Sequence, residues 1–415
     1  MTIAAPLTAQ PTIHPHPTYK TDIAIVGAGI VGATLACALK DSGLNITLIE
    51  TQPQEKAASK RQAYALTLMS GKIFERLGVW QEILPQIVTF NQIQISDANR
   101  WVVNLTPNDL GMDRLGYVGE HRVILTALQR QINQSNQIQW VCPGQVQEIR
   151  YFDNFAQVWV NSAEHSEPVV IESRLVVATD GAKSPIRQAA EISTQGWRYW
   201  QSCVATTIKT EKPHNNVAFE RFWYTGPMGV LPLPGNRVQV VWTAPHEQAE
   251  ALQQLDEAEF LRLLEYRTDG ILGRLEFDGP RFVFPVKLMQ CDRYVGHRLA
   301  LAGDAAHCCH PVGGQGLNLG IRDAAALAEI IKNSHTQNKD IGNLENLKPY
   351  QQWRKPQNWM ILGFTDFLDR TFSTDWFPVV WTRRLGLLFL QKFRIGRTLS
   401  LRLMTGLMGR APEID

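Results

Sequence analysis

A short apolar run, Asp22-Ile23-Ala24-Ile25-Val26, ends abruptly in Gly27-Ala28-Gly29-Ile30-Val31-Gly32. No other feature of this chain limits its fold as much. A run that meets glycine at once suits a buried parallel strand. Ile30 to Lys40 then carry Val31, Leu35, Ala38 and Leu39 at helical spacing, and Gly43 is a natural stop. Asn45 to Glu50 return to an apolar strand, which completes a βαβ start. Gly27 permits the tight turn, Gly29 lets the backbone approach a pyrophosphate, and Gly32 lets the helix pack on the strand. Around Ala28 and Gly29, the helix N-terminus offers unpaired N–H groups and positive potential to phosphates. Glu50 stands where a carboxylate binds the hydroxyls of an adenosine ribose. The arrangement predicts a dinucleotide site and does not by itself separate FAD from NAD.

Two further strand-to-glycine junctions follow. Leu175–Ala178 leads to Asp180-Gly181-Ala182-Lys183-Ser184-Pro185-Ile186-Arg187, and Leu299–Ala302 leads to Gly303-Asp304. Taken singly, Asp180 reads equally as a turn cap, and Asp304 reads better as one. Context shifts the balance for Asp304. It precedes His310-Pro311-Val312-Gly313-Gly314-Gln315-Gly316-Leu317-Asn318-Leu319-Gly320, a glycine-rich loop entering an apolar helix. Such a loop presents consecutive N–H groups at a positive helix end. It suits the N1–C2=O edge of a reduced flavin, where negative charge develops. His310, Pro311, Val312 and Gly313 are the expected substrate-facing edge. No acid–base pair stands out as catalytic.

With 415 residues, two lobes are expected. Helices are predicted at Ala65–Leu77, His121–Gln134, Asp256–Tyr266 and Gln315–Lys332, a polar loop at 333–346, and helix from Lys348 onward. Strand-like pieces dominate from Trp197 to Phe284. Cofactor-type elements therefore recur early, midway and late, with a sheet-rich insert between the last two. The expected organisation is a tail over 1–20, a discontinuous cofactor domain over 21–95, 118–190 and 295–347, a substrate domain over 96–117 and 191–294, and a helical region over 348–415.

In this order the three junctions resemble the para-hydroxybenzoate hydroxylase class of FAD-dependent monooxygenases, and within it the ubiquinone-biosynthesis hydroxylases of the UbiH and VisC kind. The tract from His310 to Asp323 fits that family's signature throughout. Glu120-His121-Arg122, Glu220-Arg221-Phe222 with Thr225-Gly226-Pro227, Thr365-Asp366 and Arg383-Arg384-Leu385-Gly386-Leu387 agree with it as well. The resemblance implies an α/β fold: a Rossmann-type FAD-binding domain, an inserted β-sheet substrate domain and a helical C-terminal region. It implies that Gly27, Ala28, Gly29, Gly32 and Glu50 hold the ADP half of FAD, with Arg61 and Arg122 near the pyrophosphate and Val146 at adenine. Asp180 would serve FAD and NAD(P)H together, Gly303 and Asp304 the ribityl chain or pyrophosphate, and Gly314, Gln315, Gly316, Leu317 and Asn318 the isoalloxazine. The implied reaction takes NAD(P)H and O2 and hydroxylates an apolar aromatic ring, a prenylated phenol or quinol precursor in quinone biosynthesis. Two alternatives stay open: a flavin-dependent reductase or dehydrogenase of an isoprenoid, and a flavin-bound scaffold without catalysis.

A net charge of +2 excludes a global field for nucleic acid. The six cysteines contain no C-x-x-C pair, which points to a reduced compartment, and no apolar run is long enough to cross a bilayer. His307, Cys308, Cys309 and His310 lack the spacing of a closed zinc site, so no metal is expected. The expected location is cytoplasmic, peripheral to a membrane at most. Between Trp376 and Arg410 seven arginines and lysines interleave with apolar residues and no acid. That segment reads either as a packed helical end with a basic face or as an interfacial contact with a membrane or partner.

Overall fold

The computed structural model describes residues 18–162 and 167–413. The first strand, Thr18–Val26, opens within the expected tail, so 18–20 are strand and 1–17 lie outside the described residues. It pairs in parallel with Ile46–Ile49 on one side and Val169–Ala178 on the other. Ile138–Val141 and Leu299–Leu301 extend the parallel array outward. Every residue of Ile46–Ile49 is buried, as a strand covered on both faces requires. The strands Gly144–Tyr151 and Ala156–Ser162 add an antiparallel flap to Val169–Ala178.

A second, nine-stranded sheet is antiparallel except where Val217–Trp223 joins Gln92–Asp97. Gln92–Ile95, expected with the cofactor domain, therefore belong to this sheet. Its central members are Thr194–Thr210, Arg237–Pro245, Gly226–Leu233 and Val217–Trp223. A small three-stranded sheet, Ala63–Thr67, Gly116–Glu120 and Val88–Phe90, bridges the two lobes.

The helix expected at Ala65–Leu77 is strand to Thr67 and helix only from Leu68 to Arg76. Antiparallel pairing with Gly116–Glu120 overrides the helical spacing, and the Thr67 side chain caps the helix by accepting from Ser70 N. The helix His246–Gln254 arises inside a stretch read as strand. Helix Gln315–Thr336 runs four residues past its expected end, and the next helix opens at Leu344, where Asn343 accepts from the backbone N–H of Glu345.

Helix Gln315–Thr336 crosses helix Ile30–Leu39 at Gly320, where a Cβ would lie 2.6 Å from Val31 Cγ2. That close approach brings the N-termini of both helices to one cleft. The C-terminal helices Leu344–Phe372, Phe377–Lys392 and Arg394–Met404 cover the second sheet. Their basic residues split into two groups. Arg383 is buried, holds Asp97 with two nitrogens and donates to the carbonyls of Thr371, Phe372 and Thr374; Arg397 holds Asp109. Lys392, Arg394 and Arg402 lie exposed. Phe377, Trp381, Leu385, Phe389 and Phe393, four residues apart, form an exposed apolar stripe that Ile395 and Leu399 continue. Among the described residues no helix is long and apolar enough to cross a membrane.

Candidate active site

Gly27 has φ +92°, and a Cβ there would stand 2.6 Å from the Thr179 carbonyl oxygen. Thr179 Oγ1 donates to the Gly27 carbonyl at 2.6 Å and locks the turn. At Gly32 a Cβ would lie 2.1 Å from the same carbonyl, so only glycine lets the helix start so near its strand. Gly29 is the opposite case: a Cβ would meet nothing within 4 Å, because the residue faces an open cleft. No side chain caps the helix there. Glu50 shapes the loop from below, accepting from Ala28 N at 2.9 Å and from Gln52 N at 3.1 Å.

Gly303 and Asp304 form the turn after Leu299–Leu301, with Gly303 at φ +61°. The turn is braced from beneath. Asp323 accepts from Gly303 N at 3.2 Å, His307 Nε2 at 2.5 Å, Arg354 Nε at 2.8 Å and Asn358 Nδ2 at 3.0 Å. All four partners and the carboxylate are buried. Burial works against the Asp323 charge, but His307 and Arg354 outweigh it and hold the carboxyl well below the usual range. Arg187 ties the neighbouring turn to this one, donating to Ala305 O at 2.9 Å and Ala182 O at 3.1 Å. The Asp304 carboxylate opens onto the cleft although protein surrounds it closely. That enclosure raises its pKa, and His307 and Lys287 pull it back.

The glycine-rich loop turns through Gly313 at φ +70° and Gly314 at φ +61°. Asn318 holds its shape. It donates to Ala65 O and Gly314 O and accepts from Thr67 N and Ser70 Oγ, at 2.7–2.8 Å. Every polar valence of the Asn318 side chain is satisfied by protein, so it clamps the loop rather than facing the cleft. At Gly314 a Cβ would press on Ala65 at 2.9 Å, so the need for glycine comes from behind the loop. Gln315 lines the cleft with a buried Oε1 that has no protein partner.

These turns open on one cavity of about 1320 Å3. One end is lined by Gly29, Thr179, Gly181, Asp304 and Gly313 to Leu317. The other runs between the second sheet and the C-terminal helices, past Ile93, Leu105, Phe222, Phe372, Leu387 and Met404. Phe367 and Phe389 line it and are also exposed, so the cavity emerges at the apolar stripe. Its volume exceeds the 300–1,000 Å3 typical of a single small-molecule site.

Among the residues expected from sequence, the structure gathers Gly29, Asp304, Pro311, Val312, Gly313, Gly314, Gln315, Gly316 and Leu317 around this cavity. His310, expected at the substrate edge, is fully buried behind it, where its Nδ1 accepts from Val312 N and its Nε2 faces Asp369 at 3.4 Å. Burial holds its pKa down at about 3, so the ring stays neutral. Asp180 lies one residue beyond the cleft wall at Gly181, and burial raises its pKa. Arg61 is exposed on the loop before Gln62. Arg122 is bound by Glu120 at 2.9 Å, which Arg237 also holds, and it does not line the cavity. Val146 sits away from the cavity in the antiparallel flap, opposite Val160. Among the described residues no group of three or more His, Cys, Asp or Glu could hold a metal.

Glu220, not among the residues expected at the site from sequence, also lines the cavity. On Val217–Trp223 the alternation puts Ala218, Glu220 and Phe222 on the cavity face, and a lone acid on an apolar face was the legible signal.

The FAD-binding domain family matches residues 20–365 of the chain. An uncharacterized protein of Synechocystis sp. is 50% identical over 394 residues, covering 95% of either chain. The ubiquinone hydroxylase UbiL of Rhodospirillum rubrum is 33% identical over 396 residues, 94% of this chain and 91% of its own. The crystal structure of the p-nitrophenol 4-monooxygenase PnpA from Pseudomonas putida shares the fold, with a TM-score of 0.78 over 95% of this chain and 99% of that one at 20% identity. The glycine turns and the matched span agree: the chain belongs to the FAD-binding domain family, as a flavoprotein monooxygenase of the ubiquinone-biosynthesis hydroxylase kind with FAD as its cofactor.

Proposed function

We propose that the chain hydroxylates a prenylated phenol or quinol precursor of quinone biosynthesis, with NAD(P)H as reductant and O2 as oxygen source, and gathers that substrate at a lipid surface. One observation carries the reading: a single cavity runs from the glycine turns through an apolar chamber to an exposed apolar stripe. The kinship to a ubiquinone hydroxylase supports the substrate class.

The donor set fits FAD. The uncapped N–H groups at Gly29 receive the pyrophosphate, Glu50 lies at the ribose end, and Asp304 takes polyol hydroxyls. Gln315 Oε1 supplies an acceptor for a ring N–H, and the uncapped backbone N–H groups of Gln315 and Gly316, at the start of helix Gln315–Thr336, supply donors for the ring's C2=O edge. When bound, FAD takes a hydride from NAD(P)H and activates dioxygen for insertion of one atom. The chain's own part is to hold an aromatic ring beside Pro311 to Gly313 and to exclude water with Phe222, Phe372 and Leu387. Asp180, Arg61, Arg122 and Val146 stand outside the cavity; the resemblance alone supports Arg61 and Arg122 near the pyrophosphate, Val146 at adenine and Asp180 between FAD and NAD(P)H.

The stripe from Phe377 to Leu399, with Lys392, Arg394 and Arg402 around it, suits the interface of an anionic membrane. A prenylated substrate would pass from the bilayer into the cavity mouth at Phe367 and Phe389.

The test uses holoenzyme, NAD(P)H, a short-chain prenylphenol and isotopically labelled dioxygen. Gain of one labelled oxygen atom per product is expected. Reductant consumption with no labelled product would identify a reductase, and no phenol-dependent consumption would identify a scaffold.

A further inference from the structure

We propose that Glu220 binds the substrate's ring hydroxyl and takes its proton during hydroxylation. The inference rests on the aromatic-hydroxylase reading above and names the group that activates the ring.

The placement is specific. Glu220 stands on the cavity face of Val217–Trp223, directly opposite Gly229 on one neighbouring strand and Ile95 on the other. Because Gly229 has no side chain, the space beside the carboxylate stays free: a Cβ there would lie 3.8 Å from Glu220 Oε2. The backbone N–H of Gly313 lies near enough to favour the charged form of the carboxyl. Glu220 thus sits where the flavin loop meets the apolar chamber, the position a ring must occupy to meet the cofactor.

The other charged groups facing the cavity are Asp304, His121 and Arg383. Asp304 lies at the cofactor end. His121 Nε2 is engaged by Ala57 O, and Arg383 is bound to Asp97. Among the described residues no charged side chain acts on Glu220. The cavity leaves part of its surface open, but protein encloses the carboxyl closely, and that burial pushes its pKa up to about 7 against the Gly313 N–H. A carboxyl with that value is a base at neutral pH and readily reprotonates.

The step balances. The substrate O–H bond breaks and an O–H bond forms on Glu220. The released electron pair moves into the ring, whose carbon forms a bond to one atom of O2. The O–O bond breaks and the other atom leaves as water with protons taken from solvent, two electrons having come from NAD(P)H through FAD. The ring C–H proton is lost, which restores aromaticity, the substrate oxygen regains a proton, and Glu220 returns its own to solvent.

The test compares wild-type and Glu220→Gln holoenzyme, titrated with para-octylphenol and its methyl ether by flavin fluorescence. Glutamine retains an acceptor for Gly313 N–H and removes the charge. Wild type should prefer the phenol. The variant should lose about 10- to 100-fold of phenol affinity, the value of a charged hydrogen bond, with ether binding and FAD content unchanged. The kcat/KM of wild type should fall as pH drops through about 7, and the variant should lose that limb. If the variant keeps the phenol preference, or loses FAD, Glu220 only supports the loop and the inference falls. If wild type hydroxylates phenols yet binds both probes equally, only this inference falls. If no phenol stimulates NAD(P)H consumption, the hydroxylase reading fails and takes the inference with it.

Discussion

Asp323→Asn isolates the brace beneath the Gly303-Asp304 turn. The carboxylate receives four donors, two on each oxygen: His307 and Gly303 on Oδ2, Arg354 and Asn358 on Oδ1. An amide can present oxygen to only one pair. With its nitrogen toward Arg354, a buried guanidinium faces a donor and has lost its counter-charge. With its nitrogen toward His307, the damage is smaller, because His307 Nδ1 has no partner and the ring can carry its proton there instead. Arg354 still loses the formal charge. Removing one partner of a buried ion pair costs about 3–5 kcal/mol, and the tautomer switch places the expectation near the lower end. That corresponds to a fall in melting temperature of roughly 3–6 °C for a chain of this size. The Asp323 carboxyl has a depressed folded-state pKa. Its contribution is therefore fully present above its unfolded pKa of about 4 and is lost as pH falls below it. The deficit of the variant should hence be constant from pH 5 to 8, roughly speaking, and shrink in acid. Differential scanning calorimetry across that range, with FAD content measured alongside, checks it. A variant within about 1 kcal/mol of wild type that retains FAD normally would refute the brace.

Gly29→Val should fold and lose FAD, since its side chain enters only the open cleft, whereas Gly32→Val should fail to fold because its Cβ meets the Gly27 carbonyl; circular dichroism and flavin content separate the two. Arg383→Ala leaves Asp97 buried without its main partner and should cost about 3–5 kcal/mol in chemical denaturation. Reversing Lys392 and Arg402 to Glu should spare stability and FAD but weaken flotation with anionic liposomes, each cation contributing about 1 kcal/mol at low salt. Equal flotation of the reversed and native proteins would remove the docking surface.

Local pattern carried the cofactor half of the molecule. The run Asp22–Val26 and the three glycines announce a strand, a turn and a helix within a dozen residues, so neighbours in sequence are neighbours in space. Reading failed where partners are distant. Ala63–Thr67 has helical spacing but becomes strand because Gly116–Glu120 pairs with it. Arg383 and Arg397 look like surface charge until Asp97 and Asp109, nearly 290 residues earlier, close on them. Asn318 sits inside a recognisable tract, yet its partners Ala65, Thr67 and Ser70 lie on another strand and cap, so its clamping role was invisible. His310 shows the same effect in reverse: adjacency to Pro311 suggested the cavity, while the turn sends its ring the other way.

The parallel sheet also sets an order of events during synthesis. Thr18–Val26 emerges from the ribosome long before its neighbour Val169–Ala178, which follows some 150 residues later, and Leu299–Leu301 closes that edge only after all of the second sheet except His307–Cys308 has been made. The brace under Asp304 needs Asp323 and Arg354, which come later still. A nascent chain therefore carries an incomplete sheet edge for most of its translation, and such edges invite pairing with other chains. Free FAD can be captured stably only near the end of synthesis. Completion of these late segments, rather than the speed of the early βαβ unit, therefore sets when active protein can form.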